Sequence, residues 1–310
     1  MCMKNVLVTG GAGFIGSNLV PLLIQKGYHV TVFDNLTTGK LENLSKSQGE
    51  TTFRFVKGDI RNPQDLNNAL LGIDAVVHLA ALIDVTASVQ NPELNNAVNV
   101  AGTLNVLQQS TKQGVKKLVF ASSTAVYGDV KTLPVTETTS LHPLSPYAAS
   151  KAAGEAYCQA FHRCYGIGAV SLRFFNVYGP KNENSPYSGV ITKFLRKAKD
   201  GKALTVEGDG EQTRDFIHVS DIAQALALAL EAKDVGGEVF NVCTGQPTSI
   251  NDLVGALSVV TQRELDVVHG PPRIGDIRFS YGDASKASIQ LGFNAKVTLQ
   301  EGLANLVANS

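Results

Sequence analysis

The sequence has no excess of either charge: 27 lysines and arginines stand against 27 aspartates and glutamates over 310 residues. A nucleic acid or an anionic membrane is drawn in by a global positive field. None exists here, so any anion has to be bound locally. Cysteine is scarce, and Cys2, Cys158, Cys164 and Cys243 include no CxxC pair and no histidine at metal-ligand spacing. That pattern points away from a metal site and towards reduced, buried thiols in a cytoplasmic protein. No apolar run approaches the ~18 residues of a membrane span, and "NVLVTG" turns apolar at residue 5, so neither a membrane segment nor a signal peptide is expected. Internal repeats and low-complexity tracts are also missing.

What is present is a regular alternation. Short apolar runs, "NVLVTG" (5–10), "HVTVFD" (29–34), "FRFVKGD" (53–59), "AVVHLA" (75–80), "KLVFAS" (117–122) and "AVSLRFF" (169–175), read as strands buried on both faces. Between them, 14–26, 62–71, 91–113 and 147–165 carry helical period. This order predicts an α/β fold of Rossmann type, a doubly wound parallel sheet with helices on both faces. From about residue 178 the pattern changes to loops and short elements with proline and glycine clusters, "GPKNENSPYSG" and "HGPPRIGD". A later stretch, "TRDFIHVSDIAQALALALE" followed by "GEVFNV", reads as strand, helix and strand returning to the sheet. The expected division is therefore a dinucleotide-binding domain of 1–177 plus 216–245, and a smaller discontinuous lobe of 178–215 plus 246–310.

Two constellations carry chemistry. In "TGGAGFIG", Gly10, Gly13 and Gly16 follow the first strand and open a helix near Phe14. Glycines there permit a tight turn, let backbone N–H groups approach a pyrophosphate, and put a helix N-terminus against it. Asp34 ends strand two, where its carboxylate accepts hydrogen bonds from a ribose diol and repels a 2′-phosphate. No arginine follows in "NLTTG", so NAD is favoured over NADP. Asp59 and Ile60, ending strand three, are placed to border the adenine. In "SPYAASKAAGE", Ser145 caps a helix opening with Pro146, which puts Tyr147 and Lys151 four apart on one face. A tyrosine near its ordinary ~10 is a poor base, but a neighbouring ammonium and a nicotinamide cation both stabilise its phenolate. A hydroxyl from Ser123 or Thr124, at the end of strand five in "ASSTAVYGD", is placed to hold a substrate oxygen against it.

With "GDI", "HLAA", "RFFNVYGP", "TRDFIHVSDIA" and "GDIRFSYGDASKA" in the same order and spacing, the chain resembles the extended short-chain dehydrogenases/reductases along essentially its whole length. Among them it is most similar to the NAD-dependent nucleotide-sugar epimerases and dehydratases. The resemblance implies Ser123, Tyr147 and Lys151 as catalytic residues. It implies NAD held by Gly10, Gly13, Phe14, Ile15, Gly16, Asp34, Asn35, Asp59, Ile60, Leu79, Ala80, Ala81, Tyr147 and Lys151, with Asn99 a structural polar residue nearby. His78 lines the cofactor with its backbone rather than acting as an acid. For a UDP-sugar substrate it implies Ser123, Thr124, Asn176 at the diphosphate, Val190, Val206 at the base, Arg214 and Arg273 as phosphate clamps, Asp276 towards the ribose, and Ser280. It also implies a homodimer built on the helices 91–113 and 147–165.

Reaction type follows from an absence. The dehydratases and uronate decarboxylases of the family place a glutamate two residues before the VYG tyrosine, and the dehydratases usually an aspartate before that; elimination needs an acid for the leaving hydroxyl. Here Thr124 and Ala125 stand where those acids would be, and the cysteine of the 3,5-epimerases is absent too. The set that remains serves hydride removal and return, so the expectation is a UDP-hexose 4-epimerase. A uronic acid 4-epimerase and a net NAD-dependent dehydrogenase are the alternatives. Ser280, in place of a pocket-restricting tyrosine, leaves room for N-acetylated sugars beside plain hexoses.

Overall fold

The computed structural model describes residues 4–181, 189–272 and 277–308. Its first half runs β1 (Asn5–Thr9), α1 (Phe14–Gln25), β2 (His29–Asp34), β3 (Phe53–Lys57), α2 (Pro63–Ala69), β4 (Ala75–His78), α3 (Val85–Gln90), α4 (Pro92–Asn96), α5 (Gly102–Lys112), β5 (Lys117–Ser123) and α6 (Pro146–Tyr165). Then come β6 (Gly168–Phe174), β7 (Asn176–Tyr178), α7 (Val190–Lys199), β8 (Leu204–Glu207), β9 (Thr213–His218), α8 (Val219–Glu231), β10 (Val239–Val242), β11 (Pro247–Ser249), α9 (Ile250–Thr261), β12 (Val267–Gly270), β13 (Phe279–Ser280), α10 (Ser285–Leu291) and α11 (Leu299–Ala308).

The large sheet has seven strands in the order β10-β6-β5-β4-β1-β2-β3, and every neighbouring pair is parallel. Alternation along each strand feeds two cores. Val6 and Val8 of β1 face Leu19, Val20 and Leu23 of α1 and the apolar side of α8. Leu7 between them faces the opposite layer, with Leu66 of α2, Val106 and Leu107 of α5 and Phe161 of α6. This is the Rossmann-type doubly wound arrangement that the sequence implies. Each fully enclosed leucine or valine contributes about 1.5–3 kcal/mol. The edge strand β3 is the exception to burial on both faces, since Phe53, Phe55 and Val56 stay partly exposed. Among the described residues no helix is long and apolar enough to cross a membrane.

Two readings of the sequence need correction. The strand "TRDFIH" does not return to the large sheet: β9 pairs with β7, β11 and β13 in a separate four-stranded sheet, and only α8 and β10 rejoin the large one. The helix expected over 91–113 is interrupted by a π-turn at Ala97–Ala101. A third core lies under the small sheet, with Phe194 of α7, Leu204 and Val206 of β8, Phe216 of β9, Leu253 of α9 and Leu303 of α11.

Candidate active site

The strand order reverses between β1 and β4, and a cleft of about 670 Å³ opens there at the carboxyl ends of the strands. Open α/β sheets bind ligands at such a switch point. At one end lies the glycine turn. Gly10 adopts φ +68 and its N–H donates to the Phe33 carbonyl at 2.9 Å. A Cβ at Gly16 would sit 2.5 Å from the Gly11 Cα, so only glycine lets α1 approach the strand this closely. Gly13 is the N-cap of α1 and no side chain caps it, which leaves the first-turn amides to an outside anion.

Asp34 stands beside this turn, buried. Its Oδ2 accepts from the Ala12 amide at 3.0 Å and its Oδ1 from the Leu36 amide at 2.8 Å. Burial pushes its carboxyl up from the ordinary range, and the Leu36 and Ala12 amides work against that. Asp59 accepts from Arg61 Nη2 at 2.7 Å and from Asn35 Nδ2 at 3.1 Å, and Arg61 is the main reason its carboxyl lies well below the usual range. Ile60, Leu79, Ala80, Ala81, Phe14 and Ile15 complete the wall. A glycine cradle, an uncapped helix and a buried acid at the end of β2 together fit a dinucleotide.

Asn99 does not line the cleft. It sits inside the π-turn, and its Oδ1 and Nδ2 pair with the Leu82 amide and carbonyl, each at 2.8 Å, holding the strand-exit segment of the wall. His78 is also a scaffold. Its ring nitrogens meet Thr9 Oγ1 at 2.7 Å and Thr103 Oγ1 at 3.0 Å, and burial, with the Lys151 charge, pulls it down to about 3. It is a neutral group at any ordinary pH.

At the other end, α6 begins as its residues dictate: the Ser145 side chain accepts from the Ala148 amide at 3.1 Å and Pro146 takes the first turn. Tyr147 and Lys151 then lie on one buried face. Lys151 Nζ donates to the Ala121 carbonyl at 2.8 Å and lies 6.0 Å from the Tyr147 ring centroid. Burial pushes the Tyr147 phenol up, and a hydrogen bond with Ser123 works against it. Burial also pulls Lys151 down to about 8, opposed first by the Glu155 charge. Ser123 ends β5 and lines the cleft. Thr124 opens the following 3₁₀ turn and is not part of the lining, so Ser123 is the hydroxyl presented to Tyr147.

The expected substrate residues are spread more widely. Asn176, at the start of β7, lines the cleft. Arg214 and Ser280 are register partners on β9 and β13, and Arg214 Nη1 donates to the Thr213 and Ile277 carbonyls at 2.8 and 2.7 Å. Val190 opens α7 and is partly buried against the third core. Val206 is 0% exposed, with its side chain inside that core, so only its backbone is placed to border a base. Arg273 and Asp276 lie outside the described residues. Cys164 is exposed rather than buried, unlike Cys158 and Cys243.

The sequence reading missed Thr37, Thr38, Lys40, Asn43 and Lys181 of the lining. Thr37, Thr38, Lys40 and Lys181 lie in loops and Asn43 in the short 3₁₀ turn Leu41–Leu44, too short to carry a period. Lys181 had one signal, its place directly after "YGP"; its Nζ donates to the Ser17 and Asn43 carbonyls at 2.9 and 2.8 Å, tying the chain beyond β7 to α1.

Comparison with known proteins agrees with this fold. Residues 6–243 match the NAD dependent epimerase/dehydratase family. A UDP-N-acetylglucosamine 4-epimerase from Methanobrevibacter ruminantium, solved with UDP-N-acetylmuramic acid, is 40% identical with a TM-score of 0.93, covering 100% of both chains. A UDP-glucose 4-epimerase from Thermotoga maritima, solved with UDP-glucose, is 41% identical over 98% of each chain with a TM-score of 0.92. A Thermus thermophilus UDP-glucose 4-epimerase solved with NAD is 38% identical over 97% of each chain, with a TM-score of 0.88.

Proposed function

Because the chain belongs to the NAD-dependent epimerase/dehydratase family, we propose that it is a UDP-hexose 4-epimerase. It interconverts UDP-glucose and UDP-galactose through a transient 4-keto sugar, with UDP-GlcNAc and UDP-GalNAc as a second pair. The observation that carries this reading is the lack of an acid beside the reactive hydroxyls. Among the described residues the acids lining the cleft are Asp34, Glu42 and Asp59, all on β2, on β3's exit or in the turn between them. Loss of water from the sugar needs an acid at the leaving hydroxyl. Oxidation and return at C4 needs one base and a hydride acceptor.

When bound, NAD supplies that reversible hydride acceptor. Tyr147 takes the proton of the sugar 4-hydroxyl at its phenolic oxygen and later gives it back. Its burial disfavours the phenolate, so the Lys151 ammonium is what makes Tyr147 a usable base. Ser123 hydrogen-bonds the same substrate oxygen and fixes its distance from Tyr147. The sugar turns over between the two hydride steps, so the nucleotide is gripped while the hexose is not; Asn176 and Arg214 are the described candidates for that grip.

The direct test incubates purified protein with UDP-glucose, UDP-GlcNAc and UDP-glucuronate and resolves the products by proton NMR. The expected result is a galacto-configured product from the hexoses with no reduction of added NAD. Product from the uronate alone, or stoichiometric reduction of NAD, replaces this reading.

Ser280 decides how large a 2-substituent the pocket admits. It is partly exposed and sits beside Arg214 across the β13–β9 pairing. Although Ser280 is not among the residues lining the cleft, Ser280→Tyr is expected to cut kcat/KM on the N-acetylated pair by about tenfold to a hundredfold, the usual cost of adding bulk where a substrate group has to fit. The plain hexoses should be spared. Equal loss on both pairs removes Ser280 from the specificity argument.

A further inference from the structure

Behind Tyr147 and Lys151, α6 carries a third polar residue at the same four-residue spacing. Glu155 is 3% exposed, and Arg173, next to the last residue of β6, is 4% exposed. Glu155 Oε1 accepts from Arg173 Nε at 2.9 Å and Oε2 accepts from Nη2 at 2.6 Å, a bidentate pair inside the protein. Glu155 Oε1 also accepts from Ser122 Oγ at 2.5 Å. From its other side Arg173 donates through Nη1 to the Tyr127 hydroxyl at 2.7 Å, with the guanidinium 4.6 Å from the Tyr127 ring centroid. The Tyr127 hydroxyl in turn donates to Asn241 Oδ1 at 2.7 Å.

These bonds bracket the catalytic hydroxyl. Lys151 grips the Ala121 carbonyl, Glu155 grips Ser122, Tyr147 meets Ser123, and Arg173 grips Tyr127 at the far end of the turn. One face of α6, together with one arginine, therefore fixes the whole end of β5.

We propose that Glu155 and Arg173 are positioning residues: the pair clamps the segment from Ser122 to Tyr127 onto Tyr147 and Lys151, and its two opposed charges set the charge on Lys151 from behind. The kinetic consequence rests on the epimerase reading above; the electrostatic one does not.

The surroundings of Lys151 isolate this effect. Tyr147 and Cys158 face it from α6, His78 from β4, and the Phe120 ring of β5 lies 5.0 Å below the ammonium. Burial pushes Cys158 up to about 12 and pulls His78 down to about 3, so both are uncharged near neutrality. Among the described residues Glu155, with Arg173 behind it and Tyr127 and Glu137 beyond, is the charged neighbour that remains, and bound NAD is common to every variant compared.

The test titrates the NAD-bound protein in the near ultraviolet, with Tyr147→Phe as blank, so that the phenolate of the Tyr147–Lys151 pair is read directly. In Glu155→Gln the positive Arg173 is left uncompensated. A positive charge favours loss of protons from both groups, so the pair titrates at lower pH. In Arg173→Gln the negative Glu155 is left and the pair titrates at higher pH. Each shift is expected to be about one pH unit, and the charge-balanced E155Q/R173Q variant should return to within about 0.3 unit of the unmodified protein.

In that double variant kcat should still fall at least about tenfold with KM unchanged, because the bidentate Glu155–Arg173 pair is gone, Ser122 keeps only a neutral amide oxygen as acceptor, and Tyr127 loses the guanidinium donor. Shifts of the same sign, or no shift in folded protein, overturn the electrostatic role. Full kcat in the double variant overturns the clamp. If one single variant does not fold, the direction of the other's shift decides the electrostatic role, and the balanced double variant, which leaves no lone buried charge, decides the clamp. If the unmodified protein turns over no UDP-sugar, the epimerase reading fails while the titration still decides the role of the pair.

Discussion

Replacing Tyr147 with phenylalanine is expected to lower kcat on the order of a thousandfold, while the purified protein still carries NAD. The substitution keeps the ring that packs beside Lys151 and removes only the oxygen that meets Ser123. The cleft wall proposed to hold NAD, built from the glycine turn, Asp34 and the Leu79–Ala81 segment, stays as it is. No other group takes over the proton. His78 is locked between two threonine hydroxyls and neutral, and Lys151 spends a hydrogen bond on the Ala121 carbonyl. The measurement is NMR-detected epimerisation together with NAD released on denaturing the protein. Turnover within tenfold of the unmodified enzyme would remove Tyr147 from the role of base.

Alanine at Gly10 is expected to act in the opposite way, through the fold and the cofactor rather than through the chemistry. Gly10 is held at φ +68, which costs an L-residue roughly 1–2 kcal/mol. Its new Cβ would stand 2.6 Å from the Ala80 nitrogen and 2.9 Å from the Leu79 carbonyl carbon, both backbone atoms of the segment leaving β4. Backbone has no rotamer to change, so β1 and that segment have to part, at about 1–3 kcal/mol more. The expected loss is about 2–5 kcal/mol in chemical denaturation, with purified protein largely free of NAD. Unchanged stability and full NAD content would show that the turn relaxes more easily than its contacts imply.

Much of the candidate cleft was legible because its signals are local. The glycine turn, the acid at the end of β2, and a serine-capped helix with Tyr147 and Lys151 each depend on residues within a few positions of one another. The rest depends on partners far along the chain. Glu155 reads as one more polar residue in an alanine-rich helix until Arg173, on a different element, is seen against it. The available signal was Arg173 itself, a charge inside a strand expected to be buried on both faces, which requires a partner. The strand character of "TRDFIH" was plain, but its sheet was not, because its partners β7, β11 and β13 are only two or three residues long and carry no period. Val206 shows the same limit: alternation in β8 marks an inward side chain without saying which core it enters.

The sheet order has a consequence for how the chain emerges from the ribosome. The edge of β6 is covered by β10, whose residues 239–242 are made only after β7, β8, β9 and α8. A nascent chain therefore displays an unpaired parallel edge, and an α1 surface still waiting for α8, until more than three-quarters of the protein has been synthesised. Open strand edges recruit other chains. Ribosome-stalled or truncated products ending before Val239 are thus the species that co-translational chaperones must shield, and the ones expected to aggregate when synthesis outruns that protection.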